Sequence, residues 1–104
     1  MLHNLAKWAD FVITHVQYNS DNSRIVQVKR RTDNGEKLIK PEIKNRSVIV
    51  DSIHKGYSYV TGRYVNDEWN KGDRVIAYLL DGEHFIRTDG NKTKSDNLGE
   101  LPEF

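Results

Sequence analysis

The chain predicts an α+β fold: a mostly antiparallel sheet of about five strands in the order β-β-α-β-β-β, one helix, and an ordered C-terminal tail. Three observations predict it. Apolar and β-branched residues alternate in short runs separated by turn formers. One segment alone carries helical spacing. The end of the chain places Leu98, Leu101 and Phe104 three residues apart, after a stretch as polar as a loop.

The first ten residues fit either a helical turn, with Leu2, Leu5, Trp8 and Ala9 on one face, or an extended lead-in. They read as an N-terminal extension, residues 1–10, to a single domain over residues 11–104. At 104 residues the chain can bury one modest core. Residues 9–18, ADFVITHVQY, form the first strand, with Val12, Val16 and Tyr18 on one face. The turn formers NSDNS lead to RIVQVKRRT, residues 24–32, where Val26 and Val28 alternate with Gln27 and Lys29 as in a half-buried strand. Asn34-Gly35 is a turn, and LIKPEIKN, with Pro41, is a connection with room for a short edge strand.

Residues 47–55, SVIVDSIHK, are the one helix. Ser47 or Asn45 can cap it, Ile49 and Ile53 lie four apart with Val50 beside them, and Lys55-Gly56 suits its end. The consecutive β-branched residues Val48, Ile49 and Val50 keep a strand open as the rival. In YSYVTGRYV, residues 57–65, Tyr57, Tyr59 and Thr61 oppose Val60 and Tyr64. NDEWNKG reads as a loop. DRVIAYLL, residues 73–80, is apolar on both faces and is expected at the centre of the sheet. Asp81-Gly82 is the strongest hairpin signal, and EHFIRT, residues 83–88, returns.

Composition narrows function. No apolar run is long enough to cross a membrane, the start lacks the apolar stretch of a signal peptide, and there is no cysteine, so a cytoplasmic location is expected. Asn45-Arg46-Ser47 and Asn91-Lys92-Thr93 are then chance matches to the glycosylation pattern. Sixteen Lys and Arg against fifteen Asp and Glu leave no global excess of charge for a phosphate backbone. His3, His15, His54 and His84 lack metal-ligand spacing; His15 and His84 can meet across a sheet, but two ligands do not make a site. No nucleophile elbow, Walker loop or dinucleotide fingerprint is present. The expectation is a protein that is not an enzyme, with no cofactor and no metal.

The ending carries a resemblance. Ile86, Arg87, Thr88, Asp89 and Asn91, then Asp96, Asn97, Leu98, Gly99, Leu101, Pro102, Glu103 and Phe104, spell I-R-T-D-x-N followed by D-N-L-G-x-L-P-E-F. This resembles a small family of bacterial and phage proteins known mostly as a domain of unknown function. VITHVQYN from Val12, Lys55-Gly56 and Lys71-Gly72-Asp73 extend the likeness over about residues 11–104. The family implies little about activity. A fainter similarity is to phage anti-defence sponge proteins, such as the Thoeris sponges, which sequester cyclic-nucleotide signals.

The residues themselves nominate a site near the end of the last strand and the tail loop. Arg87 and Asp89 share a face there, either as a buried ion pair or as donor to a phosphate and acceptor from a ribose or base. Asn91 lies in the loop, and Trp69 stands in a polar segment beside Gly72. Arg87, Asp89, Asn91 and Trp69 are the expected contacts for a small anionic or nucleotide-like ligand. Leu98, Leu101 and Phe104 are expected to clasp the loop to the sheet. A protein partner engaged through Trp69 or a strand edge is the alternative. The third reading is nucleic acid stacked on Tyr57, Tyr59, Tyr64, Trp69 and Tyr78 among Arg63, Lys71 and Arg74. Lys29-Arg30-Arg31 reads as a phosphate contact or a solvated edge. A dimer or higher homo-oligomer is expected, since one helix cannot cover both faces of a sheet.

Overall fold

A computed structural model describes residues 7–90 and 93–104. The elements are β1 (Phe11–Tyr18), β2 (Ile25–Thr32), β3 (Glu42–Asn45), α1 (Arg46–His54), β4 (Tyr59–Val65), β5 (Glu68–Arg74), β6 (Ile76–Leu80) and β7 (Glu83–Arg87). The fold is α+β. One sheet runs β3-β2-β1-β4-β5, antiparallel except for β1 beside β4, and β6-β7 forms a separate two-stranded ribbon.

Three local expectations change. Residues 66–72 are not a loop. Asn66 and Asp67 have φ of 53° and 63°, the left-handed pair of a type I′ turn, and β5 returns along β4. Residues 76–80 are not central in the sheet. Their two apolar faces have two separate covers: Ala77 and Ile86 meet the main core, while Tyr78 and Phe85 lie on the other side of the ribbon. Val12 and Val16 do not share a face. A bulge between Ile13 and His15 inserts Thr14 and shifts the alternation, so Val16 joins Ile13 in the main core while Val12 joins a second cluster.

The main core lies between the sheet and a cover made of α1, the β6-β7 ribbon and the tail. Ile13, Val16, Val28, Ile49, Ile86 and Leu98 are fully or almost fully buried in it. Asn45 is the N-cap of α1, but its Oδ1 accepts from Gln27 (3.0 Å) and leaves the cap without a side-chain bond. Gly56, at φ 97°, ends the helix and bonds to Ile53 O.

The tail completes the sheet. β4 pairs with β1 only from Phe11 to Ile13, then diverges with β5. The vacated edge is taken by the chain's end: Val16 N donates to Pro102 O (3.0 Å) and Phe104 N to Val16 O (3.1 Å). Leu98 and Leu101 fill the core beneath, whereas Phe104 stays half-buried. On the opposite face Trp8, Ala9, Val12, Leu38, Val60 and Trp69 cluster, and among the described residues no helix covers it.

Candidate functional site

Arg87 is buried at the end of β7, and its guanidinium is occupied by the chain itself. Nε and Nη2 donate to Asp89 (2.7 and 2.9 Å), and Nη1 to Thr93 Oγ1, Ser95 Oγ and Ser95 O (2.9–3.0 Å). The Asp89 pairing raises the Arg87 pKa further above its ordinary value. Asn91 lies outside the described residues. Beside this knot sits Asp96, whose carboxylate is fully buried. It accepts from Ile25 N (2.8 Å), Ile86 N (2.9 Å) and the Nε and Nη2 of Arg46 (2.6 and 3.0 Å). Arg46 also donates to His84 O. Four segments thus meet on one carboxylate, which sequence spacing did not reveal because its partners lie 10 to 71 residues away.

Trp69 is not near Arg87. It projects from β5 onto the uncovered face, edge-on to Tyr64 with ring centroids 5.1 Å apart, and Arg31 lies 5.0 Å over its ring. Strand register defines the rest of this face. Gln17, Gln27 and Asn45 form one row; His15, Lys29 and Ile43 the next; then Arg31, Val12, Val60 and Arg74; then Gly62 with Lys71, and Tyr64 with Trp69. None of these positions carries a carboxylate. Asp33, at the margin, is buried and accepts from the Trp8 and Gly35 amides; Asp73 lines the adjoining groove. Phe104 adds a third aromatic, with the Lys29 ammonium 5.0 Å over its ring. The field is legible at His15: burial, then Lys29 and Arg31, hold its imidazole below the ordinary value.

Two grooves flank β4 and β5. One, of about 420 Å³, separates the tail from the β4-β5 hairpin and mixes Arg63 and Lys71 with Glu68, Asp73 and Glu100. The other, about 500 Å³, lies by the uncovered face and is lined by Trp8, Val60, Lys71, Asp73 and Arg74. His84 meets His54 of α1 rather than His15, at 4.7 Å between ring centroids. Of the aromatic set expected to stack bases, Tyr59 and Tyr78 are buried, while Tyr64 and Trp69 reach the uncovered face. Lys29, Arg31 and Phe104 join them there. The one sequence signal for the cations was the basic run at the end of β2, whose middle member, Arg30, points to the core and donates to Tyr59 Oη (2.7 Å).

A family model described as a protein of unknown function, DUF3892, matches residues 12–102. No curated protein and no solved structure matches the chain. Among the described residues, no helix is long and apolar enough to cross a membrane.

Proposed function

The chain belongs to the DUF3892 family of proteins of unknown function, and on that premise we propose that it is a non-catalytic, cytoplasmic binding protein for a small anionic, nucleotide-like ligand. One observation carries this reading: the paired positions of the uncovered face offer cations and aromatic rings without a carboxylate. Lys29 and Arg31 supply the charge for a phosphate, and Trp69 and Tyr64 supply rings for a base. The proposed site therefore keeps Trp69 from the sequence-derived set. Arg87 and Asp89 act instead in holding the tail loop, because their mutual bonds would have to break to receive a ligand. Sequestration of a cyclic-nucleotide signal, as by an anti-defence sponge, is the biological form this binding would take.

The test is a titration with mononucleotides and cyclic dinucleotides, followed by Trp69 fluorescence in a Trp8→Phe background. Quenching that saturates, and that weakens about tenfold or more in Arg31→Ala, supports the reading. Binding that is equally tight in a folded Lys29→Ala/Arg31→Ala protein overturns it.

A second reading rests on β5. Among the described residues nothing pairs with the outer hydrogen-bonding edge of this strand, whose neighbour β4 carries exposed Tyr64 and Val65. A second copy or a host protein adding a strand there would protect that edge. Native mass spectrometry, before and after a proline is placed at Asn70, separates this from the first reading.

A further inference from the structure

We propose that the ligand of the uncovered face is a polymer, single-stranded nucleic acid, bound along successive aromatic–cation stations. The inference rests on the reading above and names its ligand class. A mononucleotide presents one base and one phosphate group. This face repeats the matching pair. Phe104 lies under Lys29 beside the second half of β1. Trp69 lies under Arg31, backed by Tyr64, on the diverging β4-β5 hairpin. Trp8 shares the 500 Å³ groove with Lys71 and Arg74. The three rings come from the tail, from β5 and from the residues before β1, and Lys29 and Arg31 lie two residues apart on β2, so a flexible strand can lay successive bases and phosphates across them.

The chemistry favours a single strand over a duplex. Aromatic side chains bind bases through their π-faces, which pairing and stacking hide inside a duplex. Among the described residues no helix, the commonest shape that enters a major groove, stands on this face. Trp69 and Tyr64 stand on paired strands, and Trp69 is packed on Tyr64 and the Val60 cluster, so these two rings are held in place before binding. Charge complementarity is local: the net charge is only +1, but Lys29, Arg31, Lys71 and Arg74 share this face in the strand register.

The experiment measures fluorescence anisotropy of labelled oligothymidylate and oligouridylate of increasing length, the same length as duplex, and thymidine monophosphate as competitor. Single strands are expected to bind at least about tenfold tighter than the mononucleotide, tightening with length until the stations are filled. With four cations engaged, log affinity should fall against log salt with a slope of about −3. Lys29→Ala should reduce that slope by about 0.7. Tyr64→Ala, at a side chain outside the core, should weaken binding several-fold in a protein of unchanged melting temperature. An oligomer no tighter than the mononucleotide overturns the polymer inference and leaves the small-ligand reading standing. Duplex as tight as single strand overturns it too. If neither mononucleotide nor oligomer binds at low salt, both readings fall.

Discussion

Arg46 and Asp96, fifty residues apart, form an ion pair at 2.6 Å, with the carboxylate fully buried and the guanidinium partly exposed, that ties the start of α1 to the tail loop. The Ile25 and Ile86 amides complete the carboxylate's shell, so both ends of the covering layer depend on it. Removing one partner of such a pair leaves the rest desolvated and unpaired. Asp96→Ala should cost about 3–5 kcal/mol in urea denaturation. Asp89→Ala, whose side chain is 42% exposed but accepts from two donors of buried Arg87, should cost less, about 1–3 kcal/mol. Equal losses at both positions would refute the assignment of Asp96 as the hub.

Leu98 anchors the tail in the main core at 2% exposure. Leu98→Ala should destabilise by about 2–5 kcal/mol. Removal of Pro102–Phe104 exposes the β1 edge at Val16 and should also raise aggregation on heating. Light scattering during a thermal ramp checks the second effect.

Gly62 has no room for a methyl group. A Cβ there would stand 2.6 Å from Val12 Cγ1, and Val12 is fully buried. Gly62→Ala is expected to cost about 1–3 kcal/mol through overpacking. A melting temperature equal to that of the unmodified protein would contradict this.

Asp67 sits at φ 63° in the turn between β4 and β5. Asp67→Gly relieves the left-handed backbone and should stabilise by about 0.5 kcal/mol. Calorimetry would then show a small rise in Tm.

His15 sets a pH dependence. Burial, with Lys29 and Arg31 as lesser causes, lowers its pKa below the ordinary 6.5, so the unfolded chain protonates first as the pH falls. Its contribution to stability is full above pH 6.5 and is lost as the pH drops through that value toward the folded pKa. His15→Gln should flatten this part of the profile. An anion bound at Lys29 and Arg31 should raise the His15 pKa, visible as a shifted imidazole titration by NMR.

Segments whose local pattern matched their burial were legible before the structure. The β-rich composition, the β1-β2 hairpin, α1 with Gly56 after it, and the Asp81-Gly82 turn follow from spacing and backbone preference alone. So does the docking of Leu98 and Leu101, since two such apolar side chains have no reason to stand in solvent. β5 was illegible because both its faces meet water except at Trp69, and a solvated strand carries no alternation. The place of β6 was misread because apolar residues on two faces record burial without naming what buries them. Here the cover is the core on one side, and on the other a tail whose Thr93 O accepts from Tyr78 Oη (2.5 Å). The separation of Val12 from Val16 needed the inserted Thr14, and a bulge leaves no mark on composition.

Apart from β5, the sequence by itself indicated which segments form strands or the helix, because that choice rests on local backbone preference and the period of apolar residues. Tertiary structure alone decided which side chains share a surface. It spent Arg87 on Asp89, Thr93 and Ser95, buried Asp96 beneath Arg46, and gathered Lys29, Arg31, Trp69 and Phe104 from two strands and the tail. That grouping depends on register, on a one-residue bulge and on the divergence of β4 from β1, which are set by long-range pairing rather than by any residue's neighbours in the chain.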